Sequence, residues 1–308
     1  MSASDSSEEA GGGAAGAAPA GPHRYLVVGN PIGHSRSPEI HAAFARQTGE
    51  AVSYERLLVP LEPPGSFAAA VDRFLAEGGR GLNVTLPFKV QAYEYAARHS
   101  ERAALAGAVN TLAVRDDGIH GDNTDGPGLV SDLQERLGVR LAGRSMLLLG
   151  AGGAARGVVM PLLQAGVAEL TLANRTAERA QLLAAMFNGS PVLREWGLPP
   201  VRGISQDMAK PADVIVNATS SSVLGTGLAL SPGIFAGCRL AYDCAYGSRP
   251  TAFMEQALLG GAAQVSDGLG MLVEQAAESF FIWRGVRPVT EPVYRMLRAS
   301  IAVPRTGS

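Results

Sequence analysis

The chain has 308 residues, of which 46% are hydrophobic and 18% are charged, and its formal net charge at pH 7 is -2. This length suffices for two domains, and so apolar a composition excludes a chain that is disordered throughout. Because the net charge is small and no basic block occurs, neither nucleic acid nor an anionic membrane is expected as a partner. No apolar run reaches the length of a membrane-spanning helix.

Residues 1–22 are acidic at first and then rich in alanine and glycine. They lack the positive and apolar regions of a signal peptide, so we predict a disordered tail with no part in the fold. The two cysteines, Cys238 and Cys244, fit no short metal motif, and the five histidines do not cluster. The sequence therefore favours a cytoplasmic protein with reduced thiols and no metal.

Strand and helix patterns alternate along the first part of the chain, beginning with a buried strand, RYLVVG. Ser37 and Pro38 are typical of an N-cap and a first helical position. The predicted elements, in order, are a strand at 24–29, a helix at 37–48, a strand at 52–59, a helix at 66–77, a strand at 81–84, helical stretches to about 106, and a hairpin of strands 108–114 and 119–121. This alternation predicts a mostly parallel sheet.

A second run of alternating elements follows. Its predicted elements are a helix at 126–137, a strand from 145 with a glycine-rich turn and a helix after it, a strand at 169–173, a helix at 176–187, strands at 213–217 and 240–244, and helices at 251–259, 268–284 and 292–302. The whole chain therefore reads as an α/β protein with two units.

The glycine-rich turn lies in residues 146–157, MLLLGAGGAARG. It matches the G-x-G-x-x-G/A pattern of a dinucleotide-binding fold, in which Gly150 allows a tight turn and Gly152 lets the backbone approach a pyrophosphate. Ala155 is small enough for the helix to pack on the strand. The phosphates of a dinucleotide are then expected at the helix N-terminus, where free N–H groups favour negative charge.

The end of the next strand indicates which dinucleotide is bound. NAD-specific folds place an acidic residue there, about 20 residues after the glycines, to hold the ribose 2′-hydroxyl. This sequence has Asn174 and then Arg175, with Arg179 in the first turn of the helix that Thr176 can cap. Two guanidinium groups at a helix N-terminus suit a 2′-phosphate, so we predict NADP, although both arginines could instead be ordinary surface charges.

Lysine is rare in this chain: of 26 basic residues, only Lys89 and Lys210 are lysine. Lys210 precedes a proline in a predicted surface turn and needs no special explanation. Lys89 is a candidate for a chemical role, because the surroundings of a lysine can move its pKa toward neutrality, whereas arginine stays charged. The sequence lacks the cysteine and histidine ligands of a zinc dehydrogenase. It also excludes a Tyr-x-x-x-Lys dehydrogenase, because Thr85 and Gln206 occupy the positions four residues before the two lysines. Lys89 with a carboxylate partner remains as the acid/base group.

Polar side chains also follow several predicted strands. Asn83 and Thr85 precede Lys89, Asn110 ends another apolar segment, and Asp125 closes the sequence GDNTD. Because an open α/β sheet binds ligands at the carboxyl ends of its strands, this set suits a small polyhydroxylated ligand. Helix capping by Asp125 and turn roles for the two asparagines remain open as alternatives.

Nine segments together closely resemble the shikimate dehydrogenase family, NADP-dependent enzymes that reduce 3-dehydroshikimate to shikimate. In order they read GNPIGHSRSP, NVTLPFK, ERAALAGAVNTL, GDNTDG, LLLGAGGAARG, NRTAER, NATS, YDCAYG and DGLGMLVEQAA, and they span about residues 25–297. The resemblance implies a substrate-binding domain at 23–125, completed by 268–303, and a Rossmann NADP-binding domain at 126–267, with the cleft between them.

The resemblance also implies roles for individual residues. Lys89 is the expected acid/base group and Asp125 its partner. The implied substrate-binding residues are Ser35, Ser37, Asn83, Thr85, Lys89, Asn110, Asp125, Tyr246 and Gln275, of which the two serines hold the carboxylate with Tyr246 near it. The implied cofactor-binding residues are Gly150, Ala151, Gly152, Gly153, Ala154, Asn174, Arg175, Thr176, Arg179, Cys244 (often Met in the family), Gly268 and Glu101.

The function that follows from the resemblance is reduction of 3-dehydroshikimate with NADPH on the route to chorismate and the aromatic amino acids. The partner is therefore a small molecule, and a cytoplasmic monomer or homodimer without metal is expected. A quinate or aminoshikimate dehydrogenase of the same family and a non-catalytic NADP-binding sensor are the alternatives.

Overall fold

The computed structural model describes residues 21–219, 221–222 and 227–302. Most of the segment predicted as a disordered tail, residues 1–20, lies outside the described residues, as does residue 303. In the described part of the chain the strands form two sheets of six strands each. None of the described helices is long and apolar enough to cross a membrane.

The first sheet is built from the N-terminal part of the chain. Its strands are β1 (His23–Gly29), β2 (Val52–Leu58), β3 (Gly79–Val84), β4 (Arg98–His99), β5 (Thr111–Arg115) and β6 (Gly118–Asp122), in the spatial order β2-β1-β3-β5-β6-β4. Three of the five pairings are parallel, and the predicted hairpin is the antiparallel pair β5–β6. The sheet is therefore mixed, with parallel pairings in the majority as predicted. The sequence pattern does not predict β4, since two residues are too few to show a period.

Five helices accompany this sheet: α1 (Ser37–Thr48), α2 (Ser66–Ala76), α3 (Lys89–Tyr95), α4 (Glu101–Ala106) and α5 (Asp125–Ser131). The prediction that Ser37 is the N-cap of α1 is wrong, because the helix includes Ser37 and Arg36 precedes it without a side-chain cap. The Ser37 backbone N–H instead donates to the Ser35 hydroxyl over 3.3 Å. The hydroxyl of Ser37 is thereby left for other partners.

The second sheet is entirely parallel. Its strands are β7 (Ser145–Leu149), β8 (Glu169–Asn174), β9 (Val201–Ser205), β10 (Val214–Asn217), β11 (Leu240–Asp243) and β12 (Val265–Asp267), in the spatial order β12-β11-β10-β7-β8-β9. Counted from β7, this is the strand order of the Rossmann fold, and the prediction is confirmed. The switch point, where such folds bind their ligands, lies between β7 and β10.

The helices of this second unit are α6 (Gly153–Gln164), α7 (Ala177–Gly189), α8 (Pro191–Glu195) and α9 (Ala252–Leu259). The sequence pattern does not predict α8 or β9. Each has five residues, which is too short for an apolar period to be recognised.

Two C-terminal helices, α10 (Leu269–Arg284) and α11 (Glu291–Ala302), pack back onto α1. Ile40 and Phe44 of α1 share one apolar core with Phe280 and Leu297. Helix α10 also packs along α5, which continues as a single π-helical turn (Asp132–Arg136) and not as the predicted α-helix to 137. The last helices of the chain thus lie beside the first unit.

Candidate active site

Lys89 and Asp125 form a shielded ion pair. Lys89 is the first residue of α3, after the turn that follows β3, and Asp125 is the first residue of α5. Lys89 Nζ lies 2.5 Å from Asp125 Oδ2, and the two side chains are 12% and 8% exposed. A lysine that is largely removed from solvent and held against a carboxylate is a group that can donate and accept a proton at a ligand.

Neighbouring polar groups fix the Asp125 carboxylate. Asn110 Nδ2 donates to Asp125 Oδ1 over 2.9 Å and to Thr124 Oγ1 over 3.0 Å, and Asn110 Oδ1 accepts from the Thr124 backbone N–H over 2.8 Å. Asn123 Oδ1 accepts from the Asp125 backbone N–H over 3.1 Å. Thr124, not Asp125, occupies the N-cap position of α5. Helix capping therefore does not explain the Asp125 side chain, which faces Lys89 and Asn110.

Asn83, at the end of β3, is hydrogen-bonded through both the nitrogen and the oxygen of its side-chain amide. Its Nδ2 donates to Ser279 Oγ over 2.9 Å and to Thr111 Oγ1 over 3.1 Å, and its Oδ1 accepts from the Tyr54 hydroxyl over 2.6 Å. The Thr111 hydroxyl donates in turn to Asn110 Oδ1 over 3.0 Å. Asn83, Asn110 and the ion pair consequently belong to one hydrogen-bond network, called the strand-end network below.

Gln275 joins the strand-end network from α10. Its Oε1 accepts from Thr124 Oγ1 over 3.4 Å and lies 3.5 Å from Asn110 Nδ2. Close packing holds it there, because a methyl group added at Gly128 of α5 would lie 2.7 Å from the Gln275 backbone nitrogen. Thr85 is half-buried just after β3, and among the described residues no hydrogen bond ties its hydroxyl to the network.

The two serines before α1 form a smaller group. Ser35 Oγ donates to Ser37 Oγ over 3.1 Å, and the Ser35 carbonyl accepts from Arg56 Nε over 2.7 Å. Burial raises the pKa of the Tyr246 phenol; the positive charges of Arg36 and Arg56 oppose that shift, and the carboxylates of Glu39 and Asp267 add to it. Arg36 is already paired with Glu39 over 3.0 Å, so Arg56 is the charge near Ser35 that has no ion-pair partner among the described residues and suits a bound carboxylate.

The glycine-rich turn has the predicted backbone. Gly150 has φ +113°, a conformation that favours glycine, and an added methyl group would also lie 3.1 Å from the Ala218 carbonyl oxygen. Ala155 is fully buried. A methyl group added at Gly152 would meet no heavy atom within 4 Å. The turn thus leaves open space where the motif expects a pyrophosphate.

The start of α6 also lies against the ion pair. A methyl group added at Gly153 would be 3.6 Å from Lys89 Cδ, so the aliphatic part of the lysine packs close to the first residue of the helix. Ala151 and Ala154, on either side of Gly152 and Gly153, are half-buried. The structure therefore brings the glycine-rich turn and Lys89 together.

The predicted 2′-phosphate site lies after β8. Arg175 and Arg179 are exposed, and neither forms an ion pair with a described carboxylate. Asn174 Nδ2 donates to the Thr176 carbonyl over 2.9 Å. Thr176 occupies the N-cap position of α7, but its hydroxyl makes no capping bond, so the predicted side-chain cap is wrong. The turn is held through the Thr176 carbonyl instead.

Cys244 and Gly268 lie beside each other beyond the ends of β11 and β12. The Cys244 backbone N–H donates to the Asn217 carbonyl over 2.9 Å, and a methyl group added at Gly268 would overlap the Cys244 carbonyl. Burial, assisted by the carboxylates of Asp243 and Asp125, raises the pKa of the Cys244 thiol. The thiol therefore keeps its proton near neutral pH.

Glu101 stands apart from these groups. It is exposed in the first turn of α4, where the Ser100 hydroxyl caps the helix by accepting from the Ala103 backbone N–H over 3.2 Å. In the described part of the chain no hydrogen bond or ion pair connects its carboxylate to the glycine-rich turn. Nor do the described residues contain a group of three or more His, Cys, Asp or Glu side chains that could hold a metal ion.

The strand-end network also contains residues that were not predicted as site residues from the sequence, namely Tyr54, Thr111, Asn123, Thr124 and Ser279. Thr124 stands inside GDNTDG and could have been included with its neighbours. Ser279 follows Gln275 by four residues, so both lie on one face of α10, and this spacing was an available signal. Tyr54 lies in a short strand with no motif around it, and nothing local marks it.

Three family models match the chain. They describe the substrate binding domain of shikimate dehydrogenase at 27–112, shikimate / quinate 5-dehydrogenase at 132–224, and the C-terminal domain of shikimate 5′-dehydrogenase at 268–298. The shikimate dehydrogenase (NADP(+)) of Cupriavidus necator is 52% identical over 289 residues, which are 92% of this chain and 96% of that protein. The chain belongs to the shikimate dehydrogenase family.

Solved structures show the same fold. The shikimate 5-dehydrogenase of Thermus thermophilus in complex with NADP(H) and shikimate is 33% identical with a TM-score of 0.76, covering 90% of this chain and 99% of that one. An Ael1 enzyme from Pseudomonas putida is 42% identical with a TM-score of 0.80, covering 92% of this chain and 99% of the other. The family therefore places a mixed sheet and a Rossmann-like sheet in one chain, as they stand here.

Proposed function

We propose that this protein catalyses the reversible reduction of 3-dehydroshikimate to shikimate with NADPH, on the route to chorismate and the aromatic amino acids. The observation that carries the proposal is the shielded Lys89–Asp125 pair, which lies against Gly153 at the start of a dinucleotide-type turn. Membership of the family supplies the substrate class, since its relatives are NADP(+)-dependent shikimate dehydrogenases.

The substrate is bound by residues 23–125 together with 268–303, and the cofactor by 126–267, with the cleft between them. Ser35 and Ser37 hold the substrate carboxylate, supported by Tyr246 and by the nearby guanidinium charges. The ring hydroxyls are bound by Asn83, Thr85, Lys89, Asn110, Asp125 and Gln275. The strand-end network supports this assignment, because it fixes most of these side chains before a ligand arrives.

Lys89 moves the proton. In the reducing direction its ammonium group donates a proton to the carbonyl oxygen of the substrate, and in the oxidising direction its amine accepts the proton of the hydroxyl. Asp125 orients the lysine through the 2.5 Å contact. Asn110 holds the second oxygen of that carboxylate.

The cofactor is NADP, which when bound donates or accepts the hydride. Arg175 and Arg179 bind its 2′-phosphate, next to Asn174 and Thr176. Residues 150–154 hold the pyrophosphate at the N-terminus of α6. Cys244 and Gly268 shape the pocket for the nicotinamide, and Glu101 lies at its edge. The open space over Gly152 and the two exposed arginines, which have no ion-pair partner among the described residues, support this fit.

We infer further that the protein works in the cytoplasm as a monomer or homodimer. The described cysteines, Cys238 and Cys244, are both free thiols, which agrees with a reducing compartment. Light scattering coupled to size-exclusion chromatography measures the assembly: a mass of one or two chains is expected, and a larger mass contradicts it.

The proposed activity is tested by NADPH formation from shikimate and NADP⁺, with NAD⁺ and quinate as controls. We expect the highest catalytic efficiency for shikimate with NADP⁺. Equal efficiency with NAD⁺ contradicts the role of the two arginines, and a preference for quinate favours the alternative named by one of the matching family models. Binding of NADP⁺ without any turnover of these substrates indicates a sensor.

A further inference from the structure

Asp243 is a fully buried aspartate whose carboxylate is held by four hydrogen-bond donors. Its Oδ1 accepts from the Ala245 backbone N–H over 3.0 Å and from Asn217 Nδ2 over 3.2 Å. Its Oδ2 accepts from the hydroxyls of Ser222 and Thr251 over 2.5 and 2.6 Å. The Asp243 side chain therefore only accepts hydrogen bonds, which is how an ionised carboxylate bonds.

This carboxylate has no cation beside it. Among the described residues, the three other buried aspartates, Asp125, Asp132 and Asp267, each form an ion pair with a lysine or an arginine. No ion pair of the described residues includes Asp243. A buried charge is costly unless it is compensated, and hydrogen bonds alone compensate it in part. The charge of Asp243 is therefore available to a cation that binds nearby.

Asp243 lies between two segments of the proposed cofactor pocket. It is the last residue of β11, directly before Cys244, and its partner Asn217 is the last residue of β10. Asn217 Oδ1 accepts from the Thr219 hydroxyl over 2.7 Å, and a methyl group added at Gly150 would lie 3.3 Å from Thr219 Cγ2. The hydrogen bonds of Asp243 thus connect the segment at Cys244 with the segment that packs on the glycine-rich turn.

The charge of Asp243 acts on the pocket side of the strand. Burial raises the pKa of the Cys244 thiol, and the Asp243 carboxylate is the strongest of the charges that add to this shift. The proposed function places the nicotinamide against Cys244. The nicotinamide ring is positively charged in NADP⁺ and uncharged in NADPH. A negative charge close to the ring therefore favours binding of the oxidised cofactor.

We propose that Asp243 is a positioning residue for the cofactor, which holds the two segments beside the nicotinamide and favours NADP⁺ over NADPH through its buried charge. The inference rests on the proposed function, because it requires the nicotinamide to lie beside Cys244. Asp243 acts through Asn217, through Ala245 and through its electric field, without contact with the ring.

The test is Asp243→Asn in the full chain, which keeps the size of the side chain and removes its charge. Calorimetric titration with NADP⁺ and with NADPH gives the two Kd values. We expect the ratio of the Kd for NADP⁺ to the Kd for NADPH to rise about 5- to 10-fold, the scale expected for one partly shielded charge several ångströms away.

Asp213→Asn is the matched control. Asp213 precedes the opposite end of β10, where its carboxylate accepts from the Ser145 backbone N–H and from the Ser145 hydroxyl, each over 3.1 Å. It is thus also a multiply hydrogen-bonded aspartate of the second unit, but it lies at the edge of the sheet away from Cys244. The ratio of the two Kd values should remain that of the wild type.

A wild-type ratio in Asp243→Asn overturns the proposal even where both Kd values rise, because an equal loss indicates a structural role alone. Should Asp243→Asn not fold, Ser222→Ala serves as the second test, because it keeps the charge and removes one donor to it. Both Kd values should then rise several-fold at the wild-type ratio. Unchanged Kd values, or a higher ratio, overturn the proposal.

The proposed function fails in a different way, because these titrations require no turnover. A wild-type protein that binds both dinucleotides but forms no NADPH from shikimate contradicts the proposed function, while the ratio of Kd values still decides the role of Asp243. A wild-type protein that binds neither dinucleotide contradicts both.

Discussion

The substrate side and the cofactor side of the candidate site hold their polar groups in opposite ways. Asn83, Asn110 and Asp125 are 6%, 3% and 6% exposed, and each is held by neighbouring side chains. Arg175 and Arg179 are exposed and have no described ion-pair partner, and Gly152 borders open space. The polar groups of the first region are therefore fixed by their neighbours, while the arginines of the second are held by no described carboxylate.

On the proposed function, the difference follows from the two ligands. A ring with hydroxyl groups offers weak, directional bonds, so its site gains most when side chains are fixed beforehand. Phosphate groups carry charge and interact strongly with guanidinium groups and helix N–H groups even when these are mobile. Substitutions in the first region should therefore impair turnover and substrate binding, and substitutions in the second should impair cofactor binding.

Among the variants that keep Lys89, the largest effect is expected for Asp125→Asn. The neutral amide can still accept a hydrogen bond from the Lys89 ammonium group but cannot form an ion pair with it, so kcat should fall about 10- to 100-fold. Steady-state rates with saturating shikimate and NADP⁺ measure this. Asp207→Asn, at an exposed carboxylate of the second unit, is the control that should keep its rate. A wild-type kcat in Asp125→Asn shows that the ion pair plays no part in catalysis.

Removing the two arginines should affect the cofactor alone. We expect Arg175→Ala and Arg179→Ala each to raise the KM for NADP⁺ about 10-fold, as for the loss of a bond to a charged group, with little change for NAD⁺ or shikimate. Arg202→Ala, at another exposed arginine of the same unit, controls for general charge effects. If the KM values for NADP⁺ and NAD⁺ rise together, the arginines do not contact the 2′-phosphate.

Gly152→Ala should have the smallest effect on stability, and it should still weaken binding of the cofactor. The added methyl group meets nothing within 4 Å, so thermal unfolding should occur near the wild-type temperature. In the bound state it would occupy the space of the pyrophosphate, and the KM for NADP⁺ should rise several-fold. Gly189→Ala, which also faces open space, is the control. An unchanged KM for NADP⁺ places the pyrophosphate elsewhere.

The two regions also differ in what the sequence could reveal. The turn around Gly150 and Gly152 and the arginines after β8 depend on short-range patterns, and the predicted backbone is present. Lys89 was singled out by its rarity, and Asp125 by the polar residues around it. These features are local because a helix N-terminus and the strand before it are contiguous in the chain.

The strand-end network could be predicted only in part, because its bonds join distant segments. Tyr54 reaches Asn83 across 29 residues and Ser279 reaches it across 196, and no periodicity encodes such pairs. The wrong prediction for Ser37 has a related cause. A serine before a proline is typical of an N-cap. Here, however, the Ser35 hydroxyl accepts a hydrogen bond from the backbone N–H of Ser37. Competition between nearby hydroxyls is decided by geometry that residue types do not specify.

In the proposed reaction Lys89 transfers the proton while the strand-end network binds the substrate. The most direct measurement is the rate of NADPH formation by Lys89→Ala at saturating shikimate and NADP⁺, with shikimate binding followed by calorimetry on the same preparation. We predict a kcat about 10²- to 10⁴-fold below wild type, the usual contribution of a general acid/base, with shikimate still bound. Turnover at the wild-type rate would contradict the account.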